Sequence, residues 1–127
     1  MAYRVVITKA GGPKVLDIQE ISIPEPKEHE VCIAVHYAGI NFADTLMRLG
    51  FYQPRPPFPF TPGYEVSGVV HSLGKGVEGF EIGQRVVGLM RTGGQASHER
   101  VVKDSTDDNG LNGWSRFQQP VNPFSCI

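Results

Sequence analysis

Two polar side chains, Asn41 and Asp44, stand three residues apart in the stretch GINFADT, between a strand-like run and a helix-like run. An Asn at the N-cap with an acid three residues later forms a variant of the capping box. The carboxylate also complements the positive end of the helix. A helix N-terminus with polar side chains is equally a place where the oxygen atoms of a ligand can be held. Both interpretations stay open, because a cap can orient a binding site.

A second motif, GKGVEG at residues 74–79, has the G-x-G-x-x-G spacing of a dinucleotide fingerprint, and Glu99 follows twenty residues after Gly79. The fingerprint works only if a helix begins at the third glycine, so that backbone N–H groups face the pyrophosphate. The following FEIGQRVVGL is β-branched and is interrupted by Gly83, which is typical of a strand. We therefore predict a hairpin turn here and no nucleotide cradle.

Metal ligands are sparse in the sequence. Four histidines are present, and Cys32 and His36 would share one strand face. A closed zinc site needs four ligands at short spacings and a catalytic site needs three, and no second pair accompanies these two. The sequence therefore predicts no metal site.

The elements that must position Asn41 and Asp44 are mostly strands. The run VLDIQEISIP alternates approximately, with a slip between positions 18 and 21 that suggests a bulge or a twist. VCIAVHYAGI alternates better, while YEVSGVVHSL, QRVVGLM and GGQASHERVV indicate further strands. The residues predicted to point inward are Leu16, Ile18, Ile21 and Ile23 in the first run, and Val31, Ile33, Val35 and Tyr37 in the second.

One short helix follows the GINFADT stretch, because Phe42, Leu46 and Leu49 have helical spacing and Gly50 supplies a stop. The next segment, FYQPRPPFPFTPG, has five prolines and is predicted to be a rigid loop at the edge of the domain. Beyond about Ser105 the sequence has no usable period. We predict one domain over residues 1–105 and an irregular or disordered tail over 106–127.

Composition narrows the functional class. Twelve basic and thirteen acidic residues give a net charge of −1, so nothing favours nucleic acid or an anionic membrane as a partner. Two cysteines do not make a disulfide framework, and no apolar run approaches the ~20 residues of a membrane helix. We expect a cytoplasmic protein without a transmembrane segment. Many strands without alternating helices predict a mainly β fold, a small and partly open β-barrel.

The combination of GINFADTLMRLGFY, PFTPGYEVSGVV and GKGVEGFEIGQRVVG resembles the zeta-crystallin-like quinone oxidoreductases of the medium-chain dehydrogenase/reductase superfamily. Relatives of synaptic vesicle membrane proteins are similar too. The resemblance runs from about residue 3 to residue 105. It implies a chaperonin-10-like barrel, the N-terminal domain of an NADPH-dependent enzyme that reduces quinones or enones.

The resemblance also implies roles for particular residues. Zinc-dependent members have a cysteine where this chain has Asn41 and a histidine where it has Tyr64, so the resemblance is to the zinc-independent branch. Asn41 would act in catalysis and approach the nicotinamide end of NADPH, with Asp44 supporting it at the cofactor. Tyr52 would line the quinone side of the cleft.

The sequence departs from that family after VVKDST, and no cofactor-binding domain follows. We therefore expect a truncated form that is inactive alone, since hydride transfer needs the cofactor held against the substrate. The alternative is a non-enzymatic binding or regulatory module that pairs with a full-length relative, because open strand edges invite pairing.

Overall fold

The fold, in a computed structural model, is mainly β with one short α-helix, as the sequence predicts. The structure describes residues 1–53 and 55–102, and the backbone of 114–116. The α-helix, α1, spans Phe42–Leu49, and a 3₁₀ turn spans Pro13–Val15. The strands are β1 (Ala2–Ile7), β2 (Leu16–Ile21), β3 (Glu30–Ala38), β4 (Glu65–Leu73), β5 (Arg85–Leu89), β6 (His98–Val102) and β7 (Trp114–Arg116).

Two antiparallel sheets make up the barrel wall, and they do not close on each other. β1 and β2 form a two-stranded sheet, and the other strands form a five-stranded sheet in the order β6-β3-β4-β5-β7. Backbone hydrogen bonds join the sheets where β1 passes the segment before β6: Val5 donates its N–H to the Gln95 carbonyl and Ser97 donates to that of Tyr3. This open arrangement confirms the predicted partly open barrel.

The main core lies on the inner face of the five-stranded sheet. β3 and β4 pair along most of their length, with Ile33 opposite Val70 and Val31 opposite Leu73. Val31, Ile33 and Val70 are completely or almost completely buried, as the alternation of β3 predicts, and Leu73 is partly buried. The core consists of Val31, Ile33, Val66, Val70, Val86, Met90 and Val101.

Tyr37 does not join that core, although strict alternation predicts it beside Val35. The register between β3 and β4 shifts between Val35 and Tyr37, which leaves His36 as an extra residue. A bulge of one residue reverses the side on which the following side chains point. Tyr37 is therefore exposed.

The inward prediction for β2 is also wrong for Leu16 and Ile18, which are exposed. β2 is the outer strand of the two-stranded sheet and pairs with β1 alone, in regular register. The bulge expected between positions 18 and 21 is absent from that ladder, and irregularities occur in β3 instead. Ile21 and Ile23 are half-buried.

A second apolar cluster lies under α1 and consists of Ile7, Val15, Met47 and Phe60. Tyr52, Phe58 and Tyr64 pack against it, so the proline-rich loop is fastened to the barrel by its aromatic side chains. The helix ends at Gly50, which adopts the left-handed conformation (φ 85°) that glycine tolerates best. With eight residues, α1 is the longest helix in the described part of the chain and is too short to cross a bilayer.

Part of the predicted tail has regular structure. Trp114–Arg116 forms β7 and pairs antiparallel with β5, opposite Val86, Val87 and Gly88. The pattern of residue types in the sequence gives no signal for this strand. It pairs with β5 through backbone groups at the sheet edge. The other positions of the predicted irregular segment, 106–113 and 117–127, lie outside the described residues.

The difference between Ile33 and Ile18 gives a direct test of this core. Ile33 is 0% exposed and Ile18 is 73% exposed. We expect Ile33→Ala to lower the free energy of unfolding by about 2–5 kcal/mol through lost burial and a residual cavity. The matched Ile18→Ala variant should change it by less than about 0.5 kcal/mol. Urea denaturation measures both, and equal losses would contradict the assigned faces.

Candidate functional site

The start of α1 carries the candidate site, and its geometry is that of a capping box. Asn41 is the N-cap residue and Asp44 the third helical residue. The Asn41 backbone N–H donates to Asp44 Oδ2 at 2.9 Å. The Asn41 side chain faces the Asp44 backbone N–H, as a capping box requires. That N–H, however, donates its 3.0 Å hydrogen bond to the Asn41 backbone carbonyl. The chain direction is therefore fixed just before the helix begins.

Asp44 also reaches outside its own helix. Its second oxygen, Oδ1, accepts the backbone N–H of Gly63 at 3.2 Å, and the side chain is only 6% exposed. Gly63 has φ 116°, and a Cβ there would lie 2.7 Å from the Gln95 nitrogen, so only glycine fits. One buried carboxylate thus ties the helix start to the loop that precedes β4.

Residues 93–95, between β5 and β6, form a bracing segment that supports this loop through backbone hydrogen bonds. Gly93 donates its N–H to the Thr61 carbonyl at 2.8 Å, and Gln95 donates to that of Pro62 at 2.9 Å. Gly94 donates to the Gly63 carbonyl at 3.2 Å. The backbone beside Asp44 is therefore fixed on both sides.

The Asn41 amide lies half-exposed above this support. Its Nδ2 donates to Glu65 Oε1 at 3.4 Å, a long bond at the exposed first residue of β4. Glu65 packs so closely on Gly39 that a side chain at position 39 would collide with its carboxyl group. The amide retains hydrogen-bonding capacity, because one Nδ2–H group and the oxygen lone pairs can serve a ligand.

Two phenols, those of Tyr52 and Tyr64, meet below the helix start, where both side chains pack on the cluster under α1. The Tyr64 hydroxyl is buried and has no partner of hydrogen-bond geometry among the described residues. Burial raises the pKa of Tyr64 to about 12, and its interactions with Tyr52 and Asp44 act in the same direction. Tyr64 therefore stays protonated and is available as a donor at neutral pH.

Glu99 is part of β6, and its side chain lies against the bracing segment. Its carboxyl group contacts Gly93, where a Cβ would come within 3.0 Å of it, and one oxygen accepts the Arg100 N–H at 3.0 Å. Burial raises the pKa of Glu99 from 4.5 to about 7, opposed by the Arg100 backbone bond and charge and by Arg4, while Glu30 adds to the rise. The bracing segment thus lies next to a carboxyl group whose pKa is about 7.

Among the side chains at the start of α1, only the carboxylates are strong metal ligands. Asn41 and Tyr64 offer an amide and a protonated phenol, while Cys32 is fully buried and His36 is exposed. Burial raises the pKa of the Cys32 thiol, which disfavours the thiolate form that binds metals. Within the described ranges, no three His, Cys, Asp or Glu side chains lie close enough together to hold a metal ion jointly.

The glycine motif at residues 74–79 is a turn between β4 and β5, as predicted. The two strands pair antiparallel, and the residues between them contain no helix. Gly74, Gly76 and Gly79 serve close packing and left-handed turn geometry here, since a Cβ at Gly76 would meet the His29 ring at 2.8 Å.

The structure brings Asn41, Asp44 and Tyr52 to one end of the barrel, next to Gly63, Tyr64 and Glu65. Gly63 donates its N–H to the Asp44 carboxylate, the Tyr64 phenol lies near that of Tyr52, and Glu65 accepts from the Asn41 amide. The family resemblance indicates that Tyr64 lies near Asn41. The individual contacts link positions between 12 and 24 residues apart, and no pattern in a single sequence reports such pairs.

Comparisons with known proteins agree with the fold. The sequence pattern of the alcohol dehydrogenase GroES-like domain matches residues 27–116. The quinone oxidoreductase of Salmonella typhimurium is 43% identical over 105 residues, covering 82% of this chain and 32% of that protein. The rat quinone oxidoreductase is 38% identical over 97 residues, covering 76% of this chain and 30% of that protein.

Solved structures show the same likeness. The human synaptic vesicle membrane protein VAT-1 homolog-like protein superposes with a TM-score of 0.76 at 35% identity, covering 80% of this chain and 32% of that one. Escherichia coli quinone oxidoreductase complexed with NADPH gives 0.69 at 33% identity, covering 79% and 31%. The chain thus spans about a third of the length of the curated relatives it matches.

The double role of Asp44 predicts a specific weakness. Asp44→Asn keeps the shape of the side chain but replaces one acceptor oxygen by an NH₂ group, so either Asn41 N–H or Gly63 N–H loses its partner. We expect the free energy of unfolding to fall by about 1–3 kcal/mol, the effect of an unsatisfied buried donor. Urea denaturation measures it, with the exposed Asp17→Asn as control. A loss no larger than that of the control would contradict the bridging role.

The raised pKa of Glu99 predicts a pH dependence of stability. Between pH 4.5 and about 7 the folded chain holds a proton that the unfolded chain releases, so stability falls as pH rises through this window. At about 1.4 kcal/mol per unit of pKa difference, the fall reaches up to about 3 kcal/mol. Urea denaturation from pH 4 to 8 should show a slope that Glu99→Gln removes and the exposed Glu20→Gln retains. A retained slope in Glu99→Gln would assign it to other groups.

Proposed function

The chain belongs to the alcohol dehydrogenase GroES-like domain family of the medium-chain dehydrogenase/reductase superfamily, and from this we propose that it is the substrate-side part of an NADPH-dependent quinone or enone reductase that needs no metal. The quinone oxidoreductases of rat and Salmonella typhimurium, both more than a third identical, support an oxidoreductase. The start of α1 supplies the residues that suit this chemistry.

The observation that carries the proposal is the placement of Asn41. Its amide is half-exposed at the N-cap of α1, while the carboxylate of Asp44 holds its backbone from below. An amide N–H fixed in this way can donate to a carbonyl oxygen of a substrate and stabilise the negative charge that develops there during reduction. Each oxygen of Asp44 accepts a backbone N–H, so this residue supports Asn41 at the proposed cofactor site.

The described residues fit only one end of NADPH. The positive end of α1 and the Asn41 amide suit the carboxamide and the reacting ring of a nicotinamide. The glycine motif at 74–79 is a turn and offers no helix N-terminus to a pyrophosphate. When bound, NADPH supplies the hydride, and the grip on its phosphates would have to come from another domain.

Tyr52 is the candidate on the substrate side. It is half-buried, and it packs on the cluster under α1 with its phenol near Tyr64. A phenol of this kind presents a flat apolar surface and a polar tip, which suits a planar quinone. Tyr64 occupies the position where the family resemblance places a zinc ligand in other members, and its hydroxyl here is buried and protonated.

The proposal predicts two results in a turnover assay with NADPH and a small quinone. The 127-residue chain alone should show no reduction above the buffer rate. A chimera that places residues 1–102 before the remainder of the Salmonella typhimurium enzyme should reduce the quinone, because it regains a nucleotide grip.

In that chimera we expect Asn41→Ala to lower kcat about 100-fold, the effect of removing one donor to a developing oxyanion. Glu20→Gln, an exposed substitution in β2, serves as the control and should leave the rate unchanged. A folded chimera without activity, or an Asn41→Ala chimera at full rate, would overturn the proposed role.

A second function, a non-enzymatic module that pairs with a full-length relative, is favoured by the apolar surface around Asn41. Ile40 is 80% exposed, Phe42 is 76% exposed, and Tyr37 is exposed nearby at the end of β3. Contiguous apolar surface of this kind usually marks a contact with another polypeptide. In this role the chain would cover a relative's surface with the same face that carries Asn41.

Pairing predicts that the chain co-elutes with a purified full-length quinone oxidoreductase in size-exclusion chromatography. The double variant Ile40→Ser/Phe42→Ser should abolish co-elution, because it removes apolar area at the centre of the contact. The matched Leu16→Ser/Ile18→Ser variant alters two exposed apolar side chains of the outer strand β2 and should co-elute normally. Independent elution of the unaltered chain at micromolar concentration excludes this function.

A further inference from the structure

Two histidines that the sequence keeps far apart meet on the outer face of the five-stranded sheet. His71 of β4 and His98 of β6 have ring centroids 5.0 Å apart and ring planes at 82°. Neither belongs to the site at the start of α1. The strand β3 runs between them, and its residue opposite His98 is Ala34, whose methyl group leaves room for the two rings to meet.

The direction of the His71 side chain follows from the alternation of β4. Val70 is buried in the core, so the next residue, His71, points to the opposite face, on which His98 stands. The β3–β4 register shifts between Cys32 and Ile33, opposite Ser72 and Val70, so His71 is also the extra residue of a bulge.

The separation of the rings suits a shared metal ion. With metal–nitrogen bonds of roughly 2.1 Å, two imidazole rings on one ion have centroids roughly 4.5 Å apart at a right angle and roughly 5.2 Å apart at a tetrahedral angle. The observed 5.0 Å lies between these values. Both rings are reachable from solvent, since His71 is exposed and His98 is half-buried.

The second nitrogen of His98 is already held. Its Nδ1 lies 3.1 Å from Ser97 Oγ, which also accepts the Tyr3 backbone N–H at 2.9 Å. In the tautomer with a proton on Nδ1, that N–H donates to Oγ and leaves the Nε2 lone pair free, the arrangement common in metal-ligating histidines.

We propose that His71 and His98 form a two-histidine site for a divalent first-row transition metal ion of the Ni²⁺, Cu²⁺ and Zn²⁺ group. Imidazole nitrogens select these ions over Mg²⁺ and Ca²⁺, which prefer oxygen ligands. Water fills the remaining coordination positions, so the site exchanges its metal readily. It lies away from the substrate-side residues and does not depend on the proposed reductase function.

Titration calorimetry with Ni²⁺ alone tests the site, in a Cys126→Ser background that removes the second cysteine of the sequence as a competing ligand. We expect one ion per chain. His71→Asn and His98→Asn should each weaken binding by at least about tenfold, because loss of a supporting outer contact alone costs that much. The other two histidines provide matched controls: His29→Asn and His36→Asn should retain the affinity.

Nuclear magnetic resonance supplies a second readout on the unaltered chain. Paramagnetic Ni²⁺ should broaden the ring signals of His71 and His98 first and leave that of His29 sharp. If the two rings only pack edge to face, no stoichiometric binding will occur at millimolar Ni²⁺. That result, or equal weakening by all four histidine variants, overturns the site.

Discussion

The buried carboxylate of Asp44 is the interaction on which the candidate site depends. It accepts one backbone N–H from the residue before its own helix and one from Gly63, nineteen positions further along the chain. A charge with so little exposure is tolerated only when hydrogen bonds replace its hydration, and two N–H donors do this here. Because both donors are backbone groups, the carboxylate fixes the positions of two chain segments at once.

The consequences spread outward from that carboxylate. Gly63 is followed by Tyr64 and Glu65, so the same anchor places a buried phenol under the helix and a carboxyl group beside the Asn41 amide. The segment containing Gly93 supports the other side of Gly63 and rests in turn on Glu99. These contacts thus run from β6 across one end of the barrel to α1. The last of them is made by Asn41, which is half-exposed.

The local parts of this arrangement could be derived from the sequence. Alternation in β3 identified Val31 and Ile33 as core, and the spacing of Asn41 and Asp44 identified a capping box, because both patterns reflect neighbours within one element. The reversal of Tyr37 and the exposure of Ile18 were out of reach. A bulge and the absence of a covering layer are properties of strand pairing, and strand pairing is decided by partners far away in sequence.

The candidate site, too, could be predicted only in part from the sequence. The resemblance to a reductase family pointed to Asn41, Asp44 and Tyr52, and the structure brings these three to one end of the barrel. Sequence could not show that each Asp44 oxygen accepts a backbone N–H, one of them from a residue nineteen positions away. Nor could it show that His71 and His98 meet, since they lie on two strands that are brought together only by pairing with β3 between them.

β7 has a consequence for how copies of this chain meet. Three residues from the C-terminal part of the sequence occupy the hydrogen-bonding edge of β5, opposite Val86, Val87 and Gly88. An incoming strand from another molecule finds these donors and acceptors already satisfied at this end of the sheet. Growth of a continuous intermolecular sheet from β5 would first require β7 to detach, and β7 itself offers an incoming strand an edge of only three residues.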